Sequence, residues 1–217
     1  TASEKIFAGE KAKGQAYTLP YWMKKGQNNS IIFNEHTGNK IGKFFPEEFK
    51  LVEYWIPSQN KLFGQCKPDI PENSCGIGNV LQLTDETYDG SIWFTEWSEN
   101  KIGYVNTSIP LPFSINTENN EITLTPGESK EIKFEIKANT DSSLHPISST
   151  TLTTSGDLGT SIGIFSENSI ALKKNESKEI SFVFTLSNDV AMGDYILMLG
   201  AEDDVISISK TIHIKVI

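Results

Sequence analysis

Residues 91–103 read Ser91-Ile92-Trp93-Phe94-Thr95-Glu96-Trp97-Ser98-Glu99-Asn100-Lys101-Ile102-Gly103. Residues 30–42 read Ser30-Ile31-Ile32-Phe33-Asn34-Glu35-His36-Thr37-Gly38-Asn39-Lys40-Ile41-Gly42. The offset between them is constant at 61 (91 − 30 and 103 − 42). A repeated supersecondary unit usually cannot bury its apolar face alone, so the repeat is a statement about architecture. In each copy a short apolar run leads into a glutamate, a polar turn follows, and Lys-Ile-Gly opens another run. Side chains alternate along a strand. Ile31, Phe33 and Glu35 therefore share one face, as do Ile92, Phe94 and Glu96. His36 points to the opposite face from Glu35.

Between the copies lies an insertion, about residues 58–79, with Pro68, Pro71, Gly76 and both cysteines. Without it the unit has the usual length of a four-stranded propeller blade, about 40 residues. Two such blades are too few to close a ring. The expected first domain is thus a partial β-propeller of about two blades over residues 1–108, completed by missing blades or by a protein partner. The run Lys5-Ile6-Phe7-Ala8-Gly9 is a candidate outer strand of a preceding blade.

Residues 109–217 have a different texture. Aromatic residues thin out and alternating strands dominate, as in Ile132-Lys133-Phe134-Glu135-Ile136, Ile180-Ser181-Phe182-Val183-Phe184 and Val205-Ile206-Ser207-Ile208-Ser209. Tyr195-Ile196-Leu197-Met198-Leu199 is a continuous apolar run suited to a central strand. A second echo joins 122–132 to 170–180 at an offset of 48 (170 − 122). The expectation is one Ig-like β-sandwich of about seven strands. Ile109-Pro110-Leu111-Pro112 is a stiff connection into it. Turn signals such as Asp89-Gly90, Pro126-Gly127 and Ser155-Gly156-Asp157 punctuate the whole chain, and helical periodicity is nearly absent, so the class is all-β.

The net charge is −9, and all nineteen basic residues are lysine. Arginine supplies the planar forks that grip phosphates and guanine edges. Its absence, with the acidic balance, argues against nucleic-acid binding. No apolar run is long enough for a membrane span. Thr1-Ala2-Ser3-Glu4-Lys5 has no signal-peptide core and reads as a processed or truncated start. Cys66 and Cys75 sit too far apart for the usual metal pairs, and the expected pairing is a disulfide closing a surface loop. A disulfide implies an oxidising compartment. Sequons at Asn28, Asn106 and Asn175 fit an extracellular or cell-surface glycoprotein.

The pattern Ile-Trp-Phe-Thr-Glu followed by Asn-Lys-Ile-Gly, residues 92–103, resembles the blade signature of streptogramin lyases (virginiamycin B lyase-like propellers). The copy at 31–42 departs at Ile32 and Asn34. The resemblance spans about residues 17–108. The segments around Trp55 and Pro110 resemble archaeal surface proteins, and Pro126-Gly127-Glu128-Ser129 with Gly193-Asp194-Tyr195 resembles Ig-like domains appended to secreted proteins. The lyase resemblance implies a rim glutamate, histidines and magnesium. It places a histidine on the strand that opens each blade, but this sequence has Tyr21 and Gln82 there. The glutamate is retained and its partner is not.

Glu35, His36, Glu96 and Trp97 are the candidate rim ligands. The two glutamates are expected to be structural carboxylates accepting hydrogen bonds from turn amides, with ligand roles as the alternative. His36 is expected on the surface of a turn. Tyr21, Trp22, Trp55, Trp93 and Trp97 are expected mainly in cores between blades, with Trp97 the best exposed. Acidic turns at Asp85, Glu86 and Asp89 and at Glu202, Asp203 and Asp204 are expected to be solvated, with calcium as the alternative. No catalytic residue and no resident cofactor is assigned, and magnesium or calcium is the ion such oxygen ligands would take. No phosphate loop or nucleophile elbow occurs. The expected function is an exported, non-catalytic surface or complex-forming module, the propeller an interaction platform and the sandwich a spacer. The alternative is the C-terminal part of a lyase-like enzyme whose catalytic histidines lie in other blades.

Overall fold

Both copies of the repeat form the same hairpin, for a steric reason. In the first, Phe33 lies directly opposite Gly42 across the strand pair; in the second, Phe94 lies opposite Gly103. A Cβ on Gly42 would come within 2.4 Å of the Phe33 ring, and one on Gly103 within 2.5 Å of the Phe94 ring. Only glycine lets the ring lie flat across its neighbour. Asn39 and Asn100 end the connecting turns in the left-handed region, at φ 56° and 51°, which asparagine tolerates better than most residues.

A computed structural model of the chain describes residues 19–58, 60, 62, 77–139, 150–156, 158 and 161–217. The residues 5–9 strand and the Cys66–Cys75 disulfide fall outside these. Apart from two single-turn 3-10 helices, Pro46–Glu48 and Trp97–Glu99, every regular element among the described residues is a strand. The protein is all-β, and no described helix is long and apolar enough to cross a membrane.

The chain divides into two compact units. One holds the described residues up to Ile109 together with Asp204–Ser207; the other holds Pro110–Asp203 and Ile208–Ile217. The break near residue 109 falls at the proline-rich connection, while the return of 204–207 to the first unit has no sequence signal that we recognise.

In the first unit, strands β1 (Pro20–Lys25), β2 (Ile31–Glu35), β3 (Lys40–Phe45) and β4 (Lys50–Trp55) pair in sequence, all antiparallel. The β1–β2 hairpin turns on Asn28 and Asn29, both at positive φ (54° and 56°), the signature of a two-residue type I′ turn. Strands β5 (Val80–Leu83), β6 (Ser91–Glu96) and β7 (Lys101–Asn106) form a second antiparallel sheet of three strands. The two sheets share one core of Ile32, Ile41, Ile56, Val80, Leu83, Ile92 and Phe94. The first sheet contributes its Ile32 face and the second its Ile92–Phe94 face.

The second unit contains β8 (Phe113–Thr117), β9 (Glu121–Leu124), β10 (Ser129–Ala138), β11 (Thr150–Gly156), β12 (Ile162–Phe165), β13 (Ser169–Ile170), β14 (Ser177–Thr185), β15 (Gly193–Glu202) and, from Ile208 on, β16 (Ile206–Val216). One sheet runs β12-β14-β10-β8; β16-β15-β11-β13 run side by side in another, with β9 parallel to β16. Nine strands appear among the described residues where about seven were expected; β13 is only two residues long. From Ile132 in β10 and Ile180 in β14 every second residue is buried, as the alternation predicts. β16 departs from it: Ser207 and Ser209 are buried beside Ile206 and Ile208.

The second echo is a shared turn. Glu128 Oε2 accepts from the Thr125 amide at 2.9 Å, and Glu176 Oε2 from the Lys173 amide at 2.8 Å. Gly127 (φ 83°) and Asn175 (φ 65°) occupy the third turn position, where a type II turn demands positive φ.

Candidate functional site

The informative geometry is the contact between the two sheets of the first unit, taken position by position against the repeat. On β2 and β3, Ile32, Asn34, Ile41 and Lys43 point toward the second sheet. Ile32 and Ile41 are fully buried, Asn34 is 0 % exposed and Lys43 5 %. Each polar member is satisfied across the contact. Asn34 donates through Nδ2 to the Val80 carbonyl at 2.6 Å and accepts the Trp22 amide at its Oδ1 at 2.6 Å. Asn39, in the turn, donates to the Ile56 and Ser58 carbonyls and accepts the Gly78 amide at 2.7 Å. His36 Nδ1 lies 2.7 Å from the Val80 carbonyl. A carbonyl can only accept, so Nδ1 carries the proton. The Tyr21 ring packs against His36 at 5.6 Å.

Lys43 reaches Glu86 at 2.5 Å, with both side chains nearly sealed from solvent. Glu86 also accepts from the Thr107 hydroxyl and, at 2.6 Å, from the Gln27 amide. Burial opposes its charge, but the hydrogen bonds from Lys43, Thr107 and Gln27 outweigh it and hold the carboxyl below its ordinary range. Glu86 is therefore not part of a solvated acidic turn. It is an internal anchor that ties β3 to the loop before β6.

The same six positions in the second copy meet nothing comparable. Ile32 becomes Trp93, 46 % exposed; Ile41 becomes Ile102, 74 %; Lys43 becomes Tyr104, 61 %; His36 becomes Trp97, 63 %. Thr95 and Asn100, in the places of Asn34 and Asn39, are exposed as well. Trp93 and Tyr104 pack on each other at 5.1 Å. Exposed too are Tyr21 and Trp22. Of the five aromatics expected mainly in cores, only Trp55 is half-buried.

Glu35 and Glu96 lie on the other faces of their sheets and are buried, at 3 % and 5 % exposed. The turn amides of Gly38 and Asn39 bond to the Glu35 main-chain carbonyl, so its carboxyl does not serve them. That carboxyl lies beside Glu53, which Lys40 holds at 2.9 Å. Burial, and then the Glu53 charge, push Glu35 well above the ordinary carboxyl range, against the pull of Lys40. Burial also opposes the Glu53 charge. Lys40 and hydrogen bonds from Glu35, Lys40 and Ser207 outweigh it and hold Glu53 low. The pair thus shares one proton, kept on Glu35. Oε2 of Glu35 and Oε2 of Glu96 have no hydrogen-bond partner among the described residues.

Among the described residues no three of His, Cys, Asp and Glu lie close enough to hold a metal ion. The first copy does not fit the magnesium that the resemblance implies. Lys40 already supplies the positive charge beside Glu35 and Glu53, and His36 Nδ1 is spent on a carbonyl. Tyr21, in one of the positions where the resemblance places a histidine, packs its ring against His36; Gln82, in the other, is exposed. The acceptor asparagines of the sequons at Asn28 and Asn175 are exposed; Asn106 is half-buried, its Oδ1 accepting from Ser108.

No family model and no curated protein matches the chain. Solved structures with weak likenesses include the following three. A family 123 glycoside hydrolase from Clostridium perfringens aligns with TM-score 0.38 and 10 % identity, over 49 % of this chain and 27 % of that one. Domains 4 and 5 of the S-layer protein SbsC align with TM-score 0.34 and 13 % identity, over 67 % and 69 %. A streptogramin B lyase aligns with TM-score 0.32 and 15 % identity, over 88 % of this chain and 53 % of that one. The chain thus spans about a quarter of the hydrolase and about half of the lyase.

Proposed function

We propose that the chain is a non-catalytic, complex-forming module of an exported or cell-surface protein. In this reading the two sheets of the first unit are blades of a partial β-propeller, and the second unit is an Ig-like sandwich acting as a spacer. The observation that carries it is the exposure of Trp93, Thr95, Ile102 and Tyr104, whose counterparts Ile32, Asn34, Ile41 and Lys43 are sealed under a neighbouring sheet. Large aromatic residues on an open face are what protein interfaces favour, because they supply much contact area for few frozen torsions. The commitment of His36 and of the Glu35–Glu53 pair to internal contacts supports the non-catalytic half of the reading.

Paired substitutions test it by urea denaturation. Ile41→Ala is expected to cost about 2–5 kcal/mol, the usual range for a sealed core residue. Ile102→Ala, at the matching position, is expected to change stability by less than about 0.5 kcal/mol. Equal, large losses at both positions would mean that the second face is part of this chain's own core, and the docking reading would fail.

A further inference from the structure

The repeat supplies both halves of a sheet-to-sheet contact twice, yet only one pair of halves is joined. The half that covers Ile32 and Ile41 is the face of the second sheet bearing Ile92, Phe94, Glu96, Lys101, Gly103 and Val105, with Val80 and Leu83 beside it. The first sheet carries a near duplicate of that face: Ile31, Phe33, Glu35, Lys40, Gly42 and Phe44, with Met23 opposite Phe33 where Leu83 lies opposite Phe94. Five of the six positions are identical and the sixth exchanges Val for Phe. In the second sheet Ile92 and Phe94 are 0 % and 6 % exposed; in the first, Glu35 and Lys40 are already closed in around Glu53, whereas Ile31, Phe33 and Phe44 are only half-buried and Met23 is 66 % exposed, so the open part of the face is the apolar one.

We infer that the chain associates with a second copy of itself, head to tail. The Trp93–Tyr104 face of one molecule docks on the Met23–Phe33 face of the next. The inference rests on reading the Trp93 face as a docking surface, and it names the partner. Both surfaces belong to one sequence, and their joined counterparts within the chain show how they fit. Trp93, Thr95, Ile102 and Tyr104 carry no charge, so the net charge of −9 places no like-charge pair on that face. Two different surfaces meet, so the contact is heterologous and yields a closed ring or an open file of molecules rather than a symmetric dimer.

Sedimentation equilibrium with capped variants tests this. Wild-type protein is expected to show masses that rise with concentration above the 24.1 kDa of one chain. The double variant Trp93→Asp/Tyr104→Asp loses one face, and Met23→Glu loses the other; each alone is expected to stay monomeric. Mixed in equal amounts, they still hold one intact face of each kind and are expected to stop at twice the single-chain mass. Far-ultraviolet circular dichroism of each variant establishes that it is folded. A wild type that keeps the single-chain mass at every concentration overturns the inference, and so does a wild type whose association neither variant reduces. The Ile41 and Ile102 comparison is read on stability rather than mass, so a monomeric outcome leaves the docking face itself standing for a different chain.

Discussion

Two copies of one repeated hairpin end in opposite environments. In the first, a lysine, an asparagine and two isoleucines are sealed beneath a neighbouring sheet; in the second, their replacements are a tyrosine, a threonine, a tryptophan and an isoleucine open to solvent. What stays constant is the part each copy needs to form its own hairpin: the phenylalanine over glycine, and the asparagine in the left-handed turn. What changes most is the face that carries Ile32 in the first copy and Trp93 in the second; the constant face of the second copy, with Ile92 and Phe94, lies in the core between the sheets.

The largest effect that sharpens this contrast is expected at Lys43. Its ammonium and the Glu86 carboxylate are both sealed, and removing one member strands the other charge in a poor solvent. Lys43→Met is expected to cost about 3–5 kcal/mol, whereas Tyr104→Met, at the matching position, should shift stability by under about 0.5 kcal/mol. Urea melts of the two variants and of Lys43→Met/Glu86→Leu decide it. The double variant should recover much of the loss, since an apolar pair of similar volume leaves no orphan charge. A small cost for Lys43→Met would break the contrast between the two faces.

A middling effect is expected where the copies agree. Alanine at Gly42 or at Gly103 drives a methyl into a phenylalanine ring, an overpacking that costs about 1–3 kcal/mol. Because the ring–glycine pair is internal to each hairpin, the two substitutions should cost alike, unlike the Lys43 and Tyr104 pair. A large loss at Gly42 with none at Gly103, in parallel thermal melts, would show that the second hairpin is not held by the same device.

How far these features could be read from sequence follows the same division. The recurrence of Phe, Glu, Asn, Lys and Gly was visible and marks the hairpin, because its contacts are local. The Lys43–Glu86 anchor was not, since its members lie 43 residues apart and Glu86 sits in a turn with every mark of solvation. One signal was present: Lys43 shares parity with Ile41 on an apolar face, and a lysine there needs a buried carboxylate. The aromatics were placed in a core because large rings are usually buried. Trp22, Trp93 and Trp97 are instead exposed, because the burial of a ring depends on what packs over it and not on the ring alone. The surroundings of the Glu35 carboxyl were not legible, because Glu53 comes from a strand outside the repeated pattern.

The smallest effect concerns that pair and separates the copies by pH. Glu35 holds its proton in the folded protein above the ordinary carboxyl range, so between its unfolded and folded values the native state binds more protons than the unfolded one. Stability from Glu35 is then full below its unfolded value, near 4.5, and declines as pH rises toward the folded one. Glu53 runs the other way: its lowered carboxyl contributes stability that is present above the unfolded value and is lost as pH falls through the folded one. Glu35→Gln keeps an amide donor for Glu53 and removes the titration. The variant should be more stable than wild type at neutral pH, and the decline above pH 4.5 should flatten while the acid limb due to Glu53 persists. Urea denaturation between pH 4 and 8 reads both limbs, and an unchanged slope above 4.5 would show that Glu35 does not carry the shared proton.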